Sequence, residues 1–310
     1  MKHRIKKEEI IGFIFISPWV IGFFAFTLIP MLISGYLSFT EWNVLTGLEG
    51  INFVGFENYS EIFTDDEDFW QSLKVTFTFS FIFLPLSQVF ALALACLLNQ
   101  KVKGLKIFRT ILFMPTVMPA VAVSLLWMWI FNSQYGILNR FLAIFSIQGP
   151  DWLQNPKTSL SALIIMGLWG VGSTMIIFLS ALQDVPSSLY EAASIDGITP
   201  FKRFLYITVP MISSTIFFNL VMGIIGSFQY FTQAHVMTKG GPLGSTLFYN
   251  LYLYNVAFEK YEMGYASALA WIMFFIIVFF TALVFKSSTL WVYYENEGKS
   301  KGKKMKGEQV

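Results

Sequence analysis

Apolar residues fall along this chain in long runs separated by short polar segments. The runs lie at 11–38, 75–98, 110–131, 159–182, 207–231 and 263–285, and each is close to the roughly 20 residues that an α-helix needs to cross about 30 Å of hydrocarbon. The pattern predicts six membrane-spanning helices. The first run is too long for a signal-peptide core of about 7–15 residues and has no A-x-A cleavage pattern, so it is expected to be a retained span.

Composition agrees with a lipid-facing surface. The 310 residues are 55% hydrophobic, 18% aromatic and only 13% charged, whereas a soluble domain carries about a quarter of charged residues. The net charge of +2 is small, and nothing in it implies nucleic acid. The distribution is more telling: of 21 lysines and arginines, sixteen fall in the segments before residue 11, at 99–109, at 183–206 and after 285. The positive-inside rule then places both termini in the cytoplasm of a multi-pass membrane protein, and the Lys- and Ile-containing, Cys-poor sequence suggests a bacterial cytoplasmic membrane. The expected organisation is a basic tail over 1–10, a six-span domain over 11–286 and a cytoplasmic tail over 287–310. Within the domain lie an external cap at about 39–72 and a cytoplasmic loop at about 184–208.

The cap is acidic, with Glu41, Glu49, Glu57, Glu61, Asp65, Asp66, Glu67 and Asp68 interleaved with Trp42, Phe53, Phe56, Tyr59 and Phe63. Its aromatic residues read either as the interior of a small folded cap or as interfacial anchors.

No run contains Asp, Glu, Lys, Arg or His. Ion-coupled carriers, proton pumps and voltage sensors need such groups at membrane depth, so those classes are disfavoured. An intramembrane enzyme would need a buried nucleophile, carboxylate pair or His cluster, yet His3 and His235 lie outside the runs. No catalytic residue and no metal ligand set is expected. Cys96 is the single cysteine, which excludes an intrachain disulfide. Gly298, Lys299 and Ser300 imitate the end of a phosphate-binding loop, but Tyr293 stands where its first glycine would be. The chain is expected to bind no cofactor of its own. If ATP drives it, a partner must hold the nucleotide.

The segment from Pro186 to Pro210, PSSLYEAASIDGITPFKRFLYITVP, has readable local chemistry. Ser188 with Glu191 forms a capping-box pattern, predicting a short helix from near Leu189. Gly197 is placed to end that helix in a left-handed conformation, and Thr199 with Pro200 restarts one. The expectation is helix, sharp turn, helix. Ala192 and Ala193 keep one face small while Tyr190, Ile195 and Ile198 offer apolar contact, a form suited to another protein's groove or to an ordinary interfacial helix.

The stretch EAASIDG followed by PFKRFLYITVP resembles the EAA loop of permease subunits of ATP-binding-cassette importers, with Glu191, Ala192, Ala193, Asp196, Gly197 and Pro210 at matching positions. KGGPLGSTLFYNLYLYNVAFEKYEMGYASALAW, from Lys239 to Trp271, resembles the signature of the sugar-importer branch. Within that branch it is similar to the first of two unlike permeases, of the maltose, lactose and glycerol-phosphate type. The resemblance implies a type I importer permease bundle paired with a second, homologous permease. It also implies a cytoplasmic ATPase dimer carrying ATP and Mg, and an extracellular or periplasmic solute-binding protein that delivers sugar. The EAA loop would be the coupling helix, with Glu191 as polar anchor and Gly197 as the turn.

For the solute path, Asn219, Gly223, Gly226 and Tyr230 recur at spacings of one helical face, and Gln229 and Gln233 extend it. Small residues with amides and an aromatic ring suit a hydroxyl-rich ligand, and they equally suit close helix packing. Trp169 and Ser173 form a second candidate pair. The missing cations tilt the solute toward a neutral oligosaccharide or glycoside, with glycerol-phosphate as the alternative. An ATP-independent carrier or channel, or a non-transporting receptor or scaffold, remain as the other readings of a six-span chain.

Overall fold

The computed structural model describes residues 7–100 and 103–293, with side chains from residue 11 onward. The basic residues before Lys7, Lys101, and the tail from residue 294 with its Gly298–Ser300 pattern lie outside the described residues.

The chain is predominantly helical. Helix α1 (Lys7–Phe23) passes through a π-helical turn, Phe24–Leu28, into α2 (Ile29–Leu37); strands β1 (Thr40–Glu41) and β2 (Asn52–Phe53) and helix α3 (Glu57–Thr64) follow. Next come α4 (Glu67–Leu98), α5 (Leu105–Val117), α6 (Ala120–Ile130), α7 (Ile137–Ile144), α8 (Ser159–Trp169) and α9 (Gly172–Asp184). The rest is α10 (Ser187–Ile195), α11 (Pro200–Arg203), α12 (Val209–Met211), α13 (Ser213–Phe228), α14 (Thr232–Met237), α15 (Tyr249–Tyr254) and α16 (Met263–Trp291). Among the described residues, four stretches are long and apolar enough to cross a membrane: Ile11–Leu37, Glu67–Leu98, Ser213–Met237 and Met263–Trp291. Two bent helix pairs raise the number to six if each pair is one span.

The bends have local causes. Between α5 and α6 the axis turns by 103°, so the apolar run 110–131 is two helices. Pro119 forces the residue before it out of helical geometry, and Met118 is extended at φ −74°, ψ 138°. Between α8 and α9 the turn is 45°, at Gly170–Val171. Two other prolines produce π-turns rather than breaks. Ile29 N–H bonds to the Phe24 carbonyl and Val209 N–H to the Phe204 carbonyl, five residues back. Pro30 and Pro210 come next in the chain, and a widened turn relieves the clash of a proline ring with the carbonyl four residues before it.

The chain divides into two compact units. The first comprises the described residues up to Phe69 with Leu253–Phe275. Its cap is folded: β1 pairs antiparallel with β2, Thr40 opposite Phe53, and the buried Asn58 amide donates to the Ser38 and Thr40 carbonyls, each at 3.0 Å. Phe39, Phe56 and Tyr59 pack ring against ring, while Phe53 is exposed. Along the first span the best apolar window has none of its residues buried, leaving Phe13, Phe15, Trp19 and Phe26 bare. Water covers such a surface poorly, and lipid or another apolar helix covers it well.

Among its described residues the second unit, Trp70–Tyr252 with the residues from Ile276, includes the following buried clusters. One gathers Phe79, Phe131, Leu163 and Phe248. The other gathers Ala91, Ala95, Met175, Phe178 and Ile212.

Candidate functional site: a loop helix pair and an interhelical cavity

The segment after α9 forms the expected helix, turn and helix. Gly197 has φ +68°, a conformation an L side chain adopts only with strain. There Ile198 N–H donates to the Ala193 carbonyl at 3.0 Å and Gly197 N–H to the Ser194 carbonyl at 3.3 Å, the paired bonds of a Schellman motif. The start differs from expectation. Helix α10 begins at Ser187 with Pro186 as its N-cap and no side-chain capping bond, so Ser188 sits inside the helix and the Ser188–Glu191 capping box does not form. Pro200 takes the first-turn position of α11, but Thr199 makes no side-chain cap.

Tyr190 is also redirected. Rather than offering itself outward, it packs against the Met175–Phe178 cluster, and its hydroxyl lies 3.0 Å from Thr208 Oγ1. The Arg203 guanidinium sits 5.4 Å from the centre of its ring, a cation–π distance. Ala193 is buried on the same side. These contacts fix α10 to the entrance of α13 and leave Glu191, Ala192 and Asp196 exposed. Beside them stand Ile195, 87% exposed, and Phe201, 71% exposed. The loop is therefore internally bonded and outwardly apolar.

In the same unit, α4, α8, α9 and α13 line a cavity of about 360 Å³ that is open on one side. Asn219, Gly223 and Gly226 line it from α13, as their spacing predicts, and Ser173 and Thr174 line it from α9. A smaller cavity of about 230 Å³ shares Phe83, Gly167 and Gly170 with the first and takes Trp169, Tyr230 and Gln233. The candidate pair Trp169 and Ser173 is thus split by the α8–α9 bend, one residue to each cavity. Gln229, at the end of α13, is exposed and lines neither. Tyr230 stacks against Phe79 and Phe248 at centroid distances of 4.5 and 4.8 Å, and its hydroxyl is buried without a partner.

Among the described residues, no Asp, Glu, Lys, Arg or His lines either cavity. The polar groups are amides and hydroxyls, suited to a neutral ligand with many hydroxyls and unsuited to acid–base chemistry. Among the lining residues that were not sequence candidates is an amide, Gln88 on α4. Its signal was present, because it is the lone amide in the 75–98 run.

A third concavity, about 350 Å³, lies in the cap, lined by Glu41, Glu57, Glu61 and Glu262 with Trp42 and Tyr265. Burial first, and then the neighbouring Glu262, Asp66, Asp65 and Glu57, push the Glu61 carboxyl above its usual range. Tyr265 donates its hydroxyl proton to Asp66 at 2.7 Å.

Residues 87–294 match the family model described as "Binding-protein-dependent transport system inner membrane component". The chain belongs to this family. It is a multi-pass permease component of ATP-binding-cassette importers. Over 297 residues, 94% of this permease and 95% of the relative, it is 45% identical to the Bacillus subtilis (strain 168) protein named "Probable ABC transporter permease protein YesP". It is 30% identical to the trehalose/maltose transport system permease protein MalF of Thermococcus litoralis, covering 90% of this chain and 94% of that one. Against the lactose transport system permease protein LacF of Rhizobium radiobacter the identity is 33%, over 89% and 93%. The permease also shares the fold of a chain in the crystal structure of a bacterial alginate ABC transporter in complex with alginate pentasaccharide-bound periplasmic protein. That match has TM-score 0.80 at 21% identity and covers 91% of this chain and 95% of the other.

Proposed function

We propose that this chain is one of two unlike permease subunits of an ATP-driven importer that carries a neutral oligosaccharide or glycoside into the cell. On this reading each bent pair is one span, so the chain crosses six times with both termini in the cytoplasm. A solute-binding protein delivers the sugar on the cap side. The observation that carries the proposal is the α10–turn–α11 unit, with Ala193 and Tyr190 facing inward and Glu191, Ile195 and Phe201 outward. A rigid helix pair with bare apolar residues and the exposed carboxylates of Glu191 and Asp196 is the form of a part that docks in a cleft of a cytoplasmic ATPase. ATP binding there would draw the paired loops together and rock the helical bundles about the midplane cavity. The carbohydrate assignment is supported by the relatives named for trehalose/maltose and lactose transport and by the uncharged lining of the cavity. A phosphorylated solute would want a cation there.

The test is co-purification of the native chain, Glu191→Ala and Gly197→Pro with the ATPase subunits, followed by ATPase activity in lipid with binding protein and sugar. Gly197→Pro cannot adopt φ +68° and removes the N–H bonded to Ser194, so it is expected to abolish sugar-stimulated hydrolysis, and Glu191→Ala to weaken ATPase association. Sugar uptake into liposomes by the native chain with no ATPase present would refute the importer reading.

A further inference from the structure

Helix α7 lies in the segment between the two bent pairs, α5–α6 and α8–α9, and polar bonds hold it in one orientation. The Asn139 amide donates to the Ser133 carbonyl at 3.2 Å and to the Pro150 carbonyl at 3.1 Å, and its oxygen accepts from the Trp152 indole at 2.7 Å. The chain doubles back to make these bonds. Ser146 stands at φ +60°, where Ile147 N–H reaches the Leu142 carbonyl and Ser146 N–H the Ala143 carbonyl. Gly149 then passes so close that a Cβ there would lie 2.0 Å from Asn139 Oδ1. Leu138 and Trp152 pack on the cluster that holds Phe79 and Phe131. With that face fixed inward, Ile137, Arg140, Phe141 and Ile144 are fixed outward. They form one helical stripe, and all four are exposed.

The stripe joins two chemistries. Ile144 is 75% exposed, and Phe145 and Ile147 continue the bare apolar surface past the end of the helix. Arg140 stands in the middle of it, the lone charged residue between Thr110 and Pro150. Among the described residues its guanidinium makes no hydrogen bond or ion pair. Water covers the apolar side chains poorly, and hydrocarbon alone would strand the cation. A bilayer boundary satisfies both, because acyl chains cover the apolar side chains while a lipid phosphate accepts two N–H bonds from the guanidinium. The position agrees: α7 is flanked in the chain by apolar helix pairs, and exposed Trp129 and Tyr135 nearby are residue types that concentrate at that boundary. A protein partner would instead have to desolvate Arg140 against a carboxylate of its own. Resting on the reading above in which each bent pair is one span, we propose that α7 lies on the membrane surface opposite the α10–α11 loop. There Arg140, with Ile137, Phe141 and Ile144, binds the headgroup phosphate of a phospholipid.

The experiment uses the assembled transporter, both permeases with the ATPase, in nanodiscs of digalactosyldiacylglycerol, a lipid without phosphate. Cys96, the single cysteine of this chain, is replaced by Ser, the other subunits are made cysteine-free, and Ile144→Cys carries a bimane fluorophore. The probes are phosphatidylglycerol and diacylglycerol with brominated acyl chains, which quench bimane on contact, at equal low mole fraction. Both are expected to quench, phosphatidylglycerol about threefold to tenfold more effectively, the scale of one partly screened charge-assisted hydrogen bond. Arg140→Gln should erase that preference and leave quenching by diacylglycerol unchanged, and Arg140→Lys should keep part of it. Millimolar inorganic phosphate should not displace the lipid; displacement would make phosphate in solution the ligand and overturn the lipid assignment. Equal quenching by the two lipids with Arg140 present, or a preference that survives Arg140→Gln, overturns the phosphate site. No quenching by either lipid means that water, the second permease or the solute-binding protein covers the stripe, and overturns the proposal outright. The span reading is tested separately in sealed vesicles. Gln134→Cys, exposed ahead of α7, and Ile195→Cys on α10 should react with a membrane-impermeant maleimide from opposite sides. Reaction from the same side overturns the six-span reading and the placement of α7 with it, whereas the quenching failures leave that reading standing.

Discussion

The α10–α11 loop and the α4–α13 cavity belong to the same compact unit, and their chemistry is opposite. In the loop the polar groups are satisfied internally, by the Gly197 and Ile198 backbone bonds and by Tyr190 with Thr208, while Ile195 and Phe201 are bare. In the cavity the walls are largely apolar, and it is the polar atoms of Gln88 and Asn219 that lack partners. One region leaves apolar side chains bare and the other leaves polar atoms unpaired. Under the proposed function the two regions take partners of different chemistry, a protein for the loop and a small polar solute for the cavity.

The strongest way to test this contrast is to fill the cavity without touching the loop. A Cβ at Gly226 meets nothing within 4 Å, so Gly226→Leu should place its side chain in the open space. Uptake is expected to fall by about tenfold or more, the scale on which added methylenes discriminate in a fitted site. Melting of the purified protein should change by less than about 0.5 kcal/mol. Gly223→Leu, which would run into Leu84, should lose stability as well. Full uptake in Gly226→Leu would remove the cavity from the solute path.

How far each region was legible in the sequence follows from the range of the forces that shape it. The loop's turn was readable because Gly197 and Pro200 act within a few residues of themselves. The inward turn of Tyr190 was not, since it depends on a cluster of residues from α4, α9 and α13. The apolar runs were plain from length alone, yet the 103° bend between α5 and α6 required giving weight to Pro119 inside a stretch that hydropathy treats as uniform. In the cavity, Asn219, Gly223 and Gly226 were found because one helix carries all three. Gln88 was missed because its significance lies in α13, more than a hundred residues away, and Trp169 and Ser173 were paired by a helical spacing that the α8–α9 bend breaks.

A smaller effect tests whether the loop is as rigid as its bonding suggests. Tyr190→Phe keeps the ring, and with it the packing and the Arg203 contact, but deletes the hydroxyl facing Thr208. About 0.5–1.5 kcal/mol of local stability should be lost. Amide exchange at Gly197 and Ile198 should quicken accordingly, with the cavity-lining amides of α13 unaffected. If exchange in the loop does not change, the loop is held by apolar packing alone, and the contrast in polar satisfaction is weaker than the bonding implies.

The smallest effect comes from the cap, where polar groups face water rather than lacking partners. Burial and the surrounding Glu262, Asp66, Asp65 and Glu57 raise the Glu61 carboxyl above its ordinary value of 4.5. The folded cap thus holds that proton more tightly than the unfolded chain does. At neutral pH Glu61 is ionised in both states and its repulsion opposes folding. As pH falls through the raised value the folded form takes up the proton first, and the cap gains stability; below about 4.5 both forms are protonated and the gain is complete. Glu61→Gln should therefore stabilise the cap at neutral pH, and its advantage should shrink as pH falls and vanish once the native carboxyl is protonated in both states. Because Glu61 is largely exposed, solvent screening keeps the effect small, and added salt should reduce it further at neutral pH. The measurement is amide exchange at Asn58 and Ile62 in the two proteins across that pH range. An advantage for Glu61→Gln that persists unchanged into acid would mean that packing, not charge, distinguishes the two side chains.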